Sequence, residues 1–281
     1  MAAGRSPTVQ RRRLGIELRR LREQAGKTID DVAKQLECSD SKVSRIETGQ
    51  VGATLRDVRD LLDLYGVTGE QREALVQVAR QARQKGWWQA YSDTLVVPLV
   101  GLETAASTIR SYEVLCVPGL LQTGDYARAV IHATRPDLPA GQVERWVELR
   151  MARQDLLARG DPPQLCALLD ESVVRRPVGG RPMMRDQLRH LVEVAALPAV
   201  QLHVLPFSAG EHAAMSGAFT IFSSPDPTDP DVVYLEHTRG DVYLESAEEV
   251  RRYAQAFDRL RAAALGLADT TALLTRLAAD L

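Results

Sequence analysis

A run of small polar and charged side chains begins at Ser39, where the chain reads SDSKVSR. The guanidinium of Arg45 has the paired donors that bind guanine O6 and N7, and the hydroxyls of Ser41 and Ser44 can bond several kinds of base edge. The carboxylate of Asp40 can accept a hydrogen bond from cytosine N4. These residue types could read base edges in duplex DNA if one structural element presents them together.

Three short helices are predicted around this run. Leucines recur at helical spacing in Arg11–Gln24, and this pattern predicts the first helix. Thr28 is a typical N-cap for a second helix, and Ser39 for a third whose inward residues are Val43 and Ile46. A tight turn joins the second and third helices, an arrangement that can place the third in a major groove.

Two further helices are predicted between Thr54 and Gln84. Thr54 can cap a fourth helix that ends before Gly66, and a fifth should run from Glu70 to Gln84. The N-terminal part is therefore predicted to be an all-α domain of five helices.

The stretch TIDDVAKQLECSDSKVSRIETGQ resembles the helix-turn-helix of lambda-repressor-like regulators, the XRE family. The resemblance implies that the third helix faces the groove and that Lys42 lies near a phosphate. The DNA-binding residues that follow from this match are Thr28, Ser39, Asp40, Ser41, Lys42, Ser44 and Arg45.

Two structural features also follow from the resemblance. Arg22 and Glu47 match a pair that forms a salt bridge between helices in this family. Many members have glycine where this chain has Glu37, because positive φ is favoured at that turn. Holding a non-glycine residue there costs about 1 kcal/mol.

Several of these residues have an alternative interpretation. Asp40 could serve only to stabilise the positive end of a helix dipole, and phosphates would repel it. Lys42 and Arg45 could belong to a solvated charged face.

Phosphate contacts, which set orientation without reading sequence, are expected from basic residues on nearby segments. These candidates are Arg11, Arg12, Arg13 and Lys27.

Charge divides the chain into two parts. Residues 1–85 carry 17 Lys and Arg against 12 Asp and Glu, a net charge of +5, so the remainder carries −7. The basic part has one aromatic residue, Tyr65, before Trp87. Single-strand and RNA binders usually stack bases on aromatic rings, so duplex DNA is the expected partner.

The sequence gives no sign of a membrane, a metal or a cofactor. It has no apolar run long enough to span a bilayer and no signal peptide, so we expect a cytoplasmic, nucleoid-associated protein. The three cysteines, Cys38, Cys116 and Cys166, lack paired spacing and are expected to be reduced thiols. The five histidines lack the spacing of metal ligands.

The C-terminal part is predicted to be a larger α+β domain with a small, mainly antiparallel sheet flanked by helices. The division is a flexible arm at 1–10, the helix-turn-helix domain at 11–66, a connecting helix and linker at 67–86, and the second domain at 87–281. Helices are expected at 102–112, 125–133, 141–157, 182–196 and 246–265, and strands at 164–170, 200–206, 218–223, 232–237 and 242–245.

Aromatic residues follow the predicted boundary at Lys85 and Gly86. Trp87, Trp88 and Tyr91 could line a ligand pocket or a partner surface, or they could simply seat the linker on the second domain.

This second part also resembles a known domain, through the phrases VPGLLQTGDYARA, RMARQDLL, LDESVVRRPVGG and GDVYLES. They resemble the domain of unknown function that commonly follows this DNA-binding unit in actinobacterial regulators. The resemblance implies a regulator that acts beside small partner proteins. The loop FSAGEHAAMS, with Glu211 and His212, is interpreted as a surface loop because no nucleophile or oxyanion motif accompanies it.

The sequence thus predicts a homodimeric transcription regulator that binds double-stranded DNA and receives a small-molecule or protein signal. The alternative is an antitoxin-like regulator whose acidic second domain binds a small basic protein. Co-purification of a stoichiometric basic polypeptide would favour that alternative. We expect no enzyme activity, because no catalytic constellation is present.

Overall fold

The computed structural model describes residues 7–84, 87–91, 97–226, 229–237 and 240–281. The chain divides into two compact units, Met1–Ala105 and Ala106–Leu281. The expected boundary residues Lys85 and Gly86 lie outside the described residues, and the first unit continues to Ala105. The predicted fold class, a helical N-terminal domain followed by an α+β domain, is confirmed.

The helices of the first unit are α1 (Pro7–Gln24), α2 (Ile29–Gln35), α3 (Asp40–Glu47), α4 (Leu55–Leu64), α5 (Gly69–Ala82) and α6 (Val97–Ala105), with a 3-10 turn at Trp87–Tyr91. The helix α1 begins four residues earlier than predicted. Residues 7–10, assigned to a flexible arm, are therefore helical, and Thr8 and Gln10 are buried. The helix α5 packs against α1 instead of acting as a connector, and α6 adds a sixth helix.

One apolar core holds the helices α1 to α5 together. Leu18 of α1, Val32 of α2 and Val58 and Leu62 of α4 are fully buried in it, and Val43 of α3 is almost so. The predicted inward residues of α3, Val43 and Ile46, therefore lie in this core, which packs against the inner face of α3.

The second unit contains the helices α7 (Gly124–Thr134), α8 (Ala140–Ala158), α9 (Glu171–Arg175), α10 (Arg181–Val194), α11 (Ala247–Ala263) and α12 (Leu267–Asp280). Its strands are β1 (Thr108–Glu113), β2 (Gln164–Asp170), β3 (Val200–Leu205), β4 (Phe219–Ser223), β5 (Val232–Leu235) and β6 (Val242–Leu244). They form one six-stranded sheet in the order β3-β2-β1-β4-β5-β6.

The sheet is mixed. The strand β2 pairs in parallel with β1 and β3, whereas the β1–β4, β4–β5 and β5–β6 pairs are antiparallel. The C-terminal ends of β1, β2, β3 and β5 consequently lie at one edge of the sheet. The N-terminal ends of β4 and β6 lie at the same edge. One sheet face packs on α11, where Tyr112, Phe219 and Val233 contact the core around Phe257 and Leu260.

One prediction for the second unit was wrong, and two helices were missed. The expected helix at 102–112 is instead the end of α6 followed by β1, a central strand that pairs on both sides. Short apolar runs do not distinguish a buried strand from a helix, and here strand pairing decides. The helices α9 and α12 were not predicted, and α12 packs on α10 and β3. Within the described part of the chain, no helix combines the length and apolar character needed to cross a bilayer.

Candidate DNA-binding interface

The helix α3 has one buried face and one face open to solvent. Ser39 caps it, its Oγ accepting a hydrogen bond from the backbone N–H of Lys42 at 3.2 Å. Val43 and Ile46 point into the core. The opposite face carries Asp40, Ser41 and Arg45, which are exposed, and Ser44, which is half-buried. The four residues predicted to face the groove are therefore together on one accessible surface.

Close backbone packing fixes α3 against α1. A Cβ atom at Gly15 would lie 2.5 Å from the carbonyl oxygen of Glu47 and 2.7 Å from that of Ile46. Those distances are shorter than any real Cβ contact, so only glycine permits this crossing. Sequence reasoning missed Gly15, although a glycine inside a helical pattern can signal close packing.

An ion pair fastens the same two helices. Arg22 Nε and Nη2 donate to the two carboxylate oxygens of Glu47 at 2.7 and 3.0 Å, and both side chains are buried. Arg22 Nη1 also donates to the carbonyl of Lys27 at 2.9 Å. The bond to Glu47 raises the pKa of Arg22. The fork geometry makes this pair specific as well as strong.

The turn between α2 and α3 has the strained backbone expected from the sequence. Glu37 has φ of 49° and is the one non-glycine residue with positive φ in the described ranges. The N–H groups of Glu37 and Cys38 bond the carbonyls of Lys34 and Ala33 at 3.4 and 2.9 Å. These hydrogen bonds end a helix at a residue in the left-handed backbone conformation, which glycine adopts without strain.

Lys42 does not extend freely from α3. Its Nζ donates to Asp57 Oδ1 at 2.8 Å, which joins α3 to the first turn of α4. Burial raises the pKa of Asp57, but the bonds from Lys42 and Thr54 outweigh it, and the pKa is lowered overall. Neither predicted role for Lys42, phosphate contact or solvated face, anticipated this bond. The available signal was the capping box formed by Thr54 and Asp57.

Arg45 is exposed and lies along its own helix. Its Nε donates to the carbonyl of Ser41 at 3.1 Å. This single bond uses one guanidinium nitrogen, whereas guanine recognition uses a pair of donors. Thr48 continues the same face, its hydroxyl donating to the carbonyl of Ser44 at 2.9 Å.

Thr28 and Lys27 lie at the start of α2. The hydroxyl of Thr28 exchanges hydrogen bonds with Asp31 in a capping box, so its first role is structural. Lys27 Nζ donates to Gln35 Oε1 at 3.3 Å. Such a long bond between neutral and charged groups is readily exchanged for a phosphate oxygen.

The three consecutive arginines lie on α1, half-buried. A Cβ at Gly52 would lie 3.6 Å from Arg11 Nε, and a Cβ at Gly49 would lie 3.0 Å from the Cα of Arg12. The arginine segment is thus beside the loop that follows α3. Burial lowers the pKa of Arg11, whose Nε has no hydrogen-bond partner among the described residues.

Two family models match the sequence. The model of a helix-turn-helix domain matches residues 13–75, and the model of a domain of unknown function (DUF5753) matches residues 96–276, more than half of the chain. The chain belongs to the DUF5753 family. Comparison with curated proteins and with solved structures found no match.

The helix-turn-helix match agrees with the geometry of α2 and α3. In general terms, the chain is therefore a DNA-binding regulator. The resemblance stated for both halves of this DUF5753 protein is likewise confirmed.

The remaining candidate groups are placed elsewhere. Cys38, Cys116 and Cys166 are free thiols. The Nε2 atom of His212 lies 3.2 Å from the hydroxyl oxygen of Tyr112, whereas Glu211 is exposed. No cluster of His, Cys, Asp and Glu suited to a metal ion occurs in the ranges that the structure describes.

The aromatic residues that follow the predicted boundary differ in exposure. Trp88 is buried, whereas Trp87 is exposed and contacts Tyr91 edge-on.

Proposed function

We propose that the protein is a sequence-specific regulator of transcription that inserts α3 into the major groove of duplex DNA. One observation carries the proposal: Asp40, Ser41, Ser44 and Arg45 form an accessible polar face on a short helix. The opposite face of that helix is fastened by Gly15 and by the Arg22–Glu47 pair. A reading helix must be both exposed and rigidly oriented, because base-edge hydrogen bonds tolerate little displacement.

In this proposal the side chains divide into three roles. Arg45 reads a guanine, and Ser41 and Ser44 bond neighbouring base edges. Lys27 and the arginines at 11–13 bind phosphates and position the helix without reading sequence. Lys42 acts through Asp57 by holding α3 against α4, and Ser39 and Thr28 cap the helices that approach the backbone.

We further propose that the protein acts as a homodimer in the cytoplasm and that its second unit provides dimerisation and receives the signal. One reading helix covers only a few base pairs, and two related by symmetry bind half-sites about 34 Å apart. The role of the second unit is regulatory rather than catalytic in this proposal. The charge difference, −7 against +5, supports a basic protein as the alternative source of the signal.

Selection of bound duplexes from a random-sequence pool tests the proposal. The expected product is an inverted repeat with half-site centres about 10 base pairs apart. Enrichment of a single unrepeated site would contradict the dimer. Recovery of an unenriched pool from a protein that retains its helical content would contradict sequence-specific reading.

A further inference from the structure

Exposed apolar side chains collect at one edge of the sheet in the second unit. Leu115 follows β1, Phe207 follows β3, Met215 precedes β4 and Val242 begins β6. Their exposed fractions are 70%, 59%, 71% and 39%. The pairing directions place these four positions, here called the strand-end strip, at the same edge.

The exposure of the strip is not caused by loosely held loops. The N–H of Phe207 donates to Glu171 Oε2 at 2.7 Å, and Ser172 Oγ donates to the carbonyl of Val114 at 3.2 Å. Ala209 and Ala214, on either side of His212, pack into the core beneath α11. These bonds and contacts hold the segments in place. Ala209 and Ala214 face the core, whereas Phe207 and Met215 are exposed to solvent.

The surroundings of the strip are acidic. The described residues of the four segments at this edge, 113–118, 170–176, 206–218 and 236–237 with 240–241, include six Asp and Glu and two Arg. Glu211 and Glu236 are exposed, and of the arginines Arg175 is already paired with Glu171 at 2.6 Å. An apolar strip with a carboxylate rim complements a partner that has apolar anchors and positive charge.

We propose that the strand-end strip is a docking surface for a cationic amphipathic helix of a partner protein. Six strands spaced about 4.8 Å apart give a strip about 24 Å long, which matches a helix of about 16 residues. Apolar side chains of that helix contact the strip, and its lysines or arginines contact the rim.

A second copy of this chain fits the strip less well. A symmetric dimer through this edge would bring the same patch of both copies together, and the carboxylates of one rim would then face those of the other. Like charges across an interface are unfavourable, so a cationic partner is preferred.

This inference depends on the proposed function only for its regulatory meaning, since the binding can be measured without DNA. The probe is a labelled 16-residue helical peptide of leucine and lysine, and the control probe has glutamate at every lysine position. The full chain should bind the lysine peptide, with an affinity that falls as salt rises, and should not bind the glutamate peptide. Equal binding of both peptides, or of neither, would overturn the proposal.

Three variants locate the binding. The double variant Phe207→Ser, Met215→Ser should bind the lysine peptide about tenfold more weakly, as expected when two apolar anchors of an interface are lost. The control, Leu197→Ser, changes an exposed residue that precedes the start of β3, at the opposite end of the strands, and should keep the affinity. Glu211→Gln with Glu236→Gln alters exposed side chains only and should reduce the salt dependence.

Thermal melting of each variant verifies its fold. Equal peptide affinity in the strip and control variants would overturn the assignment. So would a strip variant that changes from dimer to monomer in sedimentation while its peptide affinity is unchanged, because the strip would then be an interface between copies. DNA binding by the unaltered chain, measured separately, distinguishes failure of this inference from failure of the proposed function.

Discussion

Arg22 and Glu47, 25 positions apart, form a two-bond ion pair at 2.7 and 3.0 Å between α1 and the last residue of α3. Only 10% of the Arg22 side chain and 5% of the Glu47 side chain are exposed. The pair orients the end of the helix that carries the reading face, so stability and DNA binding should depend on it together.

Arg22→Ala should lower the free energy of unfolding of the first unit by about 3 kcal/mol, because it leaves a buried carboxylate without a partner. Urea denaturation measures this. The control is Arg19→Ala, which breaks the exposed Arg19–Glu23 pair and should change stability by less than about 0.5 kcal/mol. Equal effects of the two substitutions would show that the buried pair has no special role.

Glu37→Gly should stabilise the first unit by about 1 kcal/mol, because glycine adopts positive φ without a clash at Cβ. DNA affinity should be preserved, since Glu37 is not on the reading face. The matched variant Glu37→Ala keeps the Cβ and should show no such gain in the same denaturation experiment. A loss of stability in the glycine variant would contradict the assigned strain.

Arg45→Ala and Lys27→Ala should affect DNA binding differently. Loss of Arg45 should relax the preference at one base pair, by about 1–3 kcal/mol of discrimination. Loss of Lys27 should weaken all duplexes alike and reduce the salt slope by about one unit. Fluorescence anisotropy with selected and scrambled duplexes measures both. Equal losses on the two duplexes after Arg45→Ala would remove its reading role.

Glu113 should make the second unit less stable as pH rises. Burial, and then the charge of Glu236, raises its pKa from 4.5 to about 7, despite the bond from Ser111. The folded state therefore retains a proton that the unfolded chain loses. Stability should fall between about pH 4.5 and 7 and level off above pH 7.

Glu113→Gln should remove this dependence and stabilise the unit at pH 8 by about 2 kcal/mol. Denaturation at pH 4.5 and pH 8 tests the sign. A variant that is less stable than the parent chain at pH 8 would contradict the raised pKa.

The first unit was largely predictable from sequence because its signals are local. Thr28, Ser39 and Thr54 cap the helices where predicted, and the leucines of α1 form the core. Local patterns could not reveal the bond of Lys42 to Asp57, which depends on how α3 meets α4. They also could not show that α1 starts at Pro7, because its first residues are held by tertiary burial.

The second unit was less predictable because its central strand is defined by pairing across long sequence separations. Residues of β1 pair with β2 from position 164 and with β4 from position 219. The hairpins β4–β5 and β5–β6 are formed by neighbouring segments, and they agree with the predicted, mainly antiparallel sheet. The two parallel pairs require helical crossovers, which periodicity alone does not indicate.

The most direct test of the DNA-binding claim compares two single charges. Ser41→Glu places a carboxylate on the exposed face of α3, and Gln77→Glu places one on an exposed position of α5. With equal melting temperatures, the Gln77 variant and the parent chain should retard genomic DNA fragments at low ionic strength, whereas the Ser41 variant should not. Failure of the parent chain to retard any fragment, or retardation by the Ser41 variant at the same protein concentration, would contradict the claim.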